Sequence, residues 1–119
     1  MQISELAEQA GTTPRALRFY EQSGLLTAVR DQRGYRSYDE RDLAVVRQIR
    51  SLADIGFSLD ETRPFVECLQ AGNSCGDVCS GSIDGYRRKL TELDAAITEL
   101  QAARDKIGAA LAAVEKHQR

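Results

Sequence analysis

Arginine and tyrosine recur along the first part of the chain at spacings that suit a charged polymer better than a reaction centre. Arg15, Arg18 and Tyr20 stand within six residues, and Arg33, Tyr35 and Arg36 follow after a short connector. Arg47 and Arg50 lie three apart further on. Guanidinium groups make bidentate contacts with phosphate and guanine that lysine does not match, and tyrosine offers a hydroxyl and a ring to the backbone and groove edges of a duplex. Sequence-specific binding of double-stranded DNA is the chemistry this set fits. Catalysis is the weakest reading: the one histidine is His117, near the end of the chain, and there is no Ser-His-Asp set or phosphate-cradling glycine loop.

The other reactive side chains are three cysteines, Cys68, Cys75 and Cys79. Their number is odd, and the opening M-Q-I-S-E-L-A-E is acidic, with no basic export region. Together these predict reduced thiols in a cytoplasmic protein rather than a disulfide framework. Cys68, within F-V-E-C-L, reads as a small core residue. Cys79 precedes a long helix, whose dipole favours a thiolate. Cys75 and Cys79 therefore fit three roles: incidental thiols, a pair of ligands for a thiophilic metal ion, or a redox or electrophile sensor. The first is favoured, and no cofactor is assigned.

Helices and a turn must position the arginines. Ile3, Leu6, Ala7 and Ala10 repeat with helical period, and Gly11 stops that helix. Thr13 caps a second helix with Pro14 at its first position, and Gly24 is its stop. Leu17 and Phe19 are predicted to be core, and Leu25 and Leu26 to lie beneath this helix. Two short helices around a three-residue break make a helix-turn-helix. From Val29 to Tyr38, polar and aromatic residues alternate around Gly34, which predicts a two-stranded wing. Asp39 opens a third helix to about Ile55, with Leu43, Val46, Ile49, Leu52 and Ala53 on one face. Ser58-Leu-Asp-Glu61 has the form of a capping box, and Pro64 predicts a kink or a delayed start for the helix that follows. Residues 71–82 read as a connector loop carrying Cys75 and Cys79.

The net charge is only −2, but it is unevenly spread. From Thr13 to Arg50 eight arginines face five acidic residues, whereas beyond Arg50 eight basic residues face eleven acidic ones. The arginine-rich segment fits contacts to phosphate and guanine, and a GC-rich codon bias towards arginine fits the composition as well. Residues 83–117 carry a heptad track: Ile83, Tyr86, Leu90, Leu93, Ile97, Leu100, Ile107, Leu111 and Val114 step by threes and fours, broken by Arg104. Nothing else in the sequence is long enough to cover a helix of roughly 50 Å. A coiled coil between two copies is the simplest cover, so the chain is predicted to be a homodimer. No apolar run approaches the roughly 20 residues of a membrane span.

Taken in order, I-S-E-L-A-E-Q-A-G-T-T-P-R-A-L-R-F-Y-E-Q-S-G-L-L, G-Y-R-S-Y and R-Q-I-R-S-L-A-D-I-G-F-S-L-D-E resemble the MerR-type bacterial transcription regulators over essentially the whole chain. The resemblance implies a mainly α protein with a winged helix-turn-helix domain at 1–70 and an antiparallel coiled-coil dimerisation helix at 83–117. It implies a dimer on a pseudo-palindromic promoter spacer in the bacterial nucleoid, acting on RNA polymerase indirectly by distorting the DNA. By the same resemblance Arg15, Arg18 and Tyr20 lie on the groove-facing helix, and Tyr35 and Arg36 are wing contacts to phosphate. Thr13 offers a phosphate its hydroxyl or the helix N-terminus, and Arg47, with Arg50, fits a second wing and a solvated helix face equally. The chain departs from the metal-sensing relatives in lacking a cysteine-bearing loop after the long helix. It also lacks the four cysteines of the iron–sulfur branch and a C-terminal drug-binding domain. The inducer and the target operon are not fixed by these residues.

Overall fold

The computed structural model describes residues 1–118. The order of elements is α1 (Ile3–Ala10), α2 (Pro14–Gln22), β1 (Val29–Arg30), β2 (Arg36–Ser37), α3 (Glu40–Asp54), a 3-10 turn (Asp60–Thr62), α4 (Arg63–Gln70) and α5 (Ser80–His117). Two compact units result, Met1–Gly85 and the remainder of α5 from Tyr86.

Local signals fix most boundaries. Gly11 ends α1 in the left-handed region at φ 69°, which glycine enters without a Cβ penalty. The Thr13 side chain accepts a hydrogen bond from the Ala16 amide at 3.2 Å, capping α2 behind Pro14. Asp39 opens α3 through a reciprocal box: its carboxylate accepts from the Arg41 and Asp42 amides, while the Asp42 side chain accepts from the Asp39 amide. Those bonds, the one from the Asp42 amide first, hold the Asp39 carboxyl below its usual range; burial pushes Asp42 up.

Ser58 and Glu61 likewise exchange hydrogen bonds, at 2.9 and 3.3 Å. Regular helix nevertheless starts only at Arg63, with Pro64 in its first turn, so the delayed start is what Pro64 produces. Arg63 binds Asp60 at 2.8 Å and donates to the Ser23 carbonyl at 2.6 Å, joining the start of α4 to the end of α2.

The core gathers Leu6 and Ala7 of α1, Leu17 of α2, Leu25, Leu26 and Tyr38, and Leu43, Val45, Val46 and Ile49 of α3, with Val66 of α4. Phe57 and Phe65 meet edge to face at 5.5 Å beside it. Ala53, placed on the inner face by sequence, is exposed, and Val45 takes the buried role. Phe19 is also a correction, since it is 57% exposed rather than core. At 100° per residue it falls two positions past Leu17, on the opposite side of α2.

The connector is shorter than the sequence suggested, because α5 begins at Ser80 rather than Ile83. Its first turns belong to the N-terminal unit. Ser82 is fully buried and donates to the Gly76 carbonyl at 2.5 Å, and Gly85 lies against the Phe65 ring, which a Cβ there would meet at 3.2 Å.

Candidate nucleic-acid interface

Helix α2 points Arg15 and Arg18 outward because Leu17, between them, is buried completely. Arg15, Arg18, Phe19 and Gln22 make up the exposed side of this helix. Tyr20, three residues after Leu17, turns partly inward; it is half-buried and packs on the core, with part of its ring left exposed.

The wing is a two-stranded ribbon in the register Val29 to Ser37 and Arg30 to Arg36. Asp31 builds its turn. The Asp31 carboxylate accepts from the Arg33 amide at 2.9 Å and the Tyr35 amide at 3.0 Å, and Gly34 supplies the left-handed residue at φ 81°. Arg30 closes the turn by donating to the Gly34 carbonyl at 2.7 Å. Arg33 and Tyr35 are exposed on this turn, Tyr35 by 60%.

Helix and wing meet in an open basic cleft of about 370 Å³, lined by Gln2, Ile3, Arg18, Arg30, Gly34, Tyr35 and Arg36. A neighbouring cleft shares Arg18 and Arg36 and reaches Glu21, Gln22 and Thr27. Three of the sequence-selected residues, Arg18, Tyr35 and Arg36, therefore converge on one concave surface. Arg15, Arg33 and Arg47 are exposed but line neither cleft, and Thr13 spends its hydroxyl on the α2 cap. Arg30 was missed by the sequence reading. The available signal was the cross-strand pairing that any wing around Gly34 imposes, which sets Arg30 opposite Arg36.

One carboxylate organises the cleft from behind. Glu21, with its side chain 10% exposed, pairs with Arg36 at 3.4 Å and accepts a hydrogen bond from the Tyr38 hydroxyl. Burial, then the bond to Glu21, raises the Tyr38 phenol well above its usual range, so it remains a donor. Arg36 thus reaches the cleft from a fixed anchor rather than as a free rotor.

The cysteines do not follow the sequence reading. Cys68 and Cys79 are joined by a disulfide, with Cα atoms 5.9 Å apart, and only Cys75 is a free thiol, exposed in the loop. The reason is geometric: the last turn of α4 and the residue before α5 come within the span that a disulfide bridges. The expectation of three reduced thiols is thereby corrected. Cys79 is not available beside Cys75 as a pair of metal ligands in this form. Among the described residues, no group of three or more His, Cys, Asp or Glu converges as a metal site.

In the long helix, Ile83, Leu90, Leu93, Ile97, Leu100, Ile107, Leu111 and Val114 are each between 41% and 70% exposed, and Tyr86 is half-buried. Among the described residues no helix is long and apolar enough to cross a membrane.

Comparison with known proteins agrees with this geometry. Residues 1–67 match the MerR HTH family regulatory protein family, and residues 42–110 match the family described as MerR, DNA binding. The HTH-type transcriptional regulator CueR of Salmonella typhi is 35% identical over 111 residues, covering 90% of this chain and 76% of that protein. A solved structure of HiNmlR, a MerR family regulator lacking the sensor domain and bound to promoter DNA, superposes with a TM-score of 0.60 at 27% identity, over 88% of this chain and 78% of the other. The regulator PbrR691 from Ralstonia metallidurans CH34, solved in complex with lead(II), gives a TM-score of 0.56 at 33% identity, over 87% and 85%. These are regulator families rather than enzyme families. The chain belongs to the MerR family of DNA-binding transcriptional regulators.

Proposed function

We propose that two copies of this chain, joined through the α5 stripe, place their α2 helices and wings on the two halves of a pseudo-palindromic promoter spacer. The observation that carries this reading is the convergence of Arg18, Arg30, Tyr35 and Arg36 in one basic cleft between helix and wing. Phosphate contacts of that kind, Arg18 among them, set register and orientation, while Arg15, exposed on α2 beyond the cleft, reads base edges. Thr13, Arg33 and Arg47 are outlying contacts, and Tyr20 contributes only the edge that its packing leaves free. Bending or untwisting the spacer costs several kcal/mol, offset by the backbone contacts of two half-sites, and acts on RNA polymerase through the DNA. The chain works as a regulator without catalysis, in the cytoplasm at the nucleoid.

The dimer rests on the apolar track of α5, which a second copy covers by heptad packing. A sensor of thiophilic metal needs Cys75 and Cys79 as free thiolates, and the bond from Cys79 to Cys68 makes that reading secondary here.

Fluorescence anisotropy on the DNA upstream of the protein's own reading frame tests the proposal. Arg18→Ala and Tyr35→Ala should each weaken binding, and Arg18→Ala should lower the slope of log K against log salt by about one. Unchanged affinity and slope in both variants would remove the cleft from the interface.

A further inference from the structure

The three cysteines occupy one small region, from the last turn of α4 to the residue before α5. Cys68 is 3% exposed, near the end of α4, whereas Cys79 is half-exposed immediately before α5. The carbonyl oxygen of Cys75 lies 3.6 Å from Cys68 Sγ, and the Asn73 side-chain amide lies 2.9 Å from the Cys68 carbonyl and 3.4 Å from Cys79 Sγ. With the disulfide closed, neither sulfur carries a proton. In a dithiol form the same neighbours serve both groups: a Cys68 S–H donates to the Cys75 carbonyl, and a Cys79 thiolate accepts from Asn73 at the head of a 38-residue helix.

The bond joins α4 to the residue whose carbonyl accepts the first amides of α5, from Ser82 at 3.0 Å and Ile83 at 3.1 Å. We propose that Cys68 and Cys79 form a reversible dithiol–disulfide site, oxidised by hydroperoxides and reduced by small thiols, whose state sets how firmly the 71–79 loop holds the first turn of α5.

Exposure assigns the roles. The Cys79 thiolate attacks the distal oxygen of the hydroperoxide; a sulfur–oxygen bond forms, the O–O bond breaks, and the leaving alkoxide or hydroxide takes a proton. Cys68 then attacks the resulting sulfenic acid, loses its thiol proton and expels hydroxide, which leaves as water. Two thiols and one hydroperoxide thus give one disulfide, one alcohol (or a second water) and one water. Two small thiols reverse the bond and leave as their own disulfide. Cys75 lies outside the couple and remains a thiol throughout. After reduction the loop keeps the Ser82 bond to Gly76 and the Asn73 bond to Cys68, so it is loosened rather than unfolded.

Full-length protein, reduced and then exposed to hydrogen peroxide, should retain one maleimide-reactive thiol, mapped to Cys75 by mass spectrometry. A Cys68–Cys79 cross-linked peptide should appear, and dithiothreitol should restore all three thiols. Cys75→Ser should close the bond as the parent does, and Cys68→Ser should stop at a sulfenic acid on Cys79 that dimedone traps. Amide exchange across 71–82 should quicken on reduction, and promoter affinity should differ between the two forms by about fivefold or more. Three persistent thiols, a bond through Cys75 or a link between two copies would overturn the site. Equal exchange and equal affinity would overturn its regulatory role, and the thiol map judges the chemistry whether or not DNA binds.

Discussion

Glu21 of α2 accepts a hydrogen bond from Tyr38, just past the wing, through one carboxylate oxygen, while the other oxygen pairs with Arg36 at 3.4 Å. A single buried acid therefore joins the helix to the wing. Removing it as Glu21→Ala leaves the Tyr38 hydroxyl buried without its acceptor and releases Arg36. The stability loss should be about 1–3 kcal/mol, read from urea unfolding. Tyr38→Phe removes the donor but leaves Glu21 its ion pair, and should cost only about 1 kcal/mol. A Glu21→Ala effect below about 0.5 kcal/mol, as for an ordinary surface change, would mean that the carboxylate does not hold the wing.

Arg30 has two duties at the cleft: it lines the cleft and closes the wing turn at Gly34. Arg30→Lys retains the charge but not the planar fork, so promoter affinity should fall by less than in Arg30→Ala. If both variants bind as the parent does, Arg30 shapes the turn without touching DNA. Thermal unfolding of the free protein would show the turn contribution separately.

What was legible in the sequence is what depends on near neighbours. Thr13 and Pro14, the Asp39 cap and Gly11 are local devices, and each stands where its spacing put it. Phe19 is exposed because apolar character alone does not give the phase of a nine-residue helix; Leu17 sets it, and Tyr20, the ring nearer Leu17 in helical angle, is the half-buried one. The Cys68–Cys79 bond was illegible for a different reason. It depends on where α4 ends and α5 begins, which an odd cysteine count cannot reveal.

The Asp39 cap has a pH signature. Asp39→Ala should destabilise the protein by about 1 kcal/mol at neutral pH. The folded carboxyl lies below its ordinary value of 3.8, so the stabilisation is present above that value and is lost as pH falls through the lower folded one. Below about pH 4 the gap between parent and variant should shrink in a urea series. Asp42 has the opposite sign, its raised carboxyl favouring acid, so the comparison must be made against Asp39→Ala and not by acid titration alone. A gap that stays constant down to pH 2 would show that the ionised carboxylate is not the cap.

Gly11 and Gly76 separate two reasons for glycine. Gly11 has a left-handed backbone but open space around it, so Gly11→Ala should cost about 1 kcal/mol through conformation alone. At Gly76 a Cβ would meet the Phe65 carbonyl at 2.9 Å and the Gln48 side chain at 2.8 Å, and the carbonyl is backbone that cannot swing aside. Gly76→Ala should therefore be the more damaging, by calorimetry, and should loosen the 71–79 loop. Equal effects would mean that the surroundings of Gly76 yield to a Cβ and that the close approach there carries no extra cost.

Along α5 the apolar track is interrupted by Arg104, and the two kinds of position should respond oppositely. Ile97 and Leu100 are 52% and 70% exposed, and under the proposed pairing a second copy covers them. Ile97→Glu introduces a charge that heptad packing would have to desolvate, so sedimentation should show the dimer shifting towards monomer, and promoter affinity should fall with it because both half-sites are no longer held together. Arg104→Leu completes the track and should raise the melting temperature in a concentration-dependent way. If Ile97→Glu sediments as the parent does, the stripe is not where the copies meet, and whatever joins two DNA-binding units must lie elsewhere in the chain.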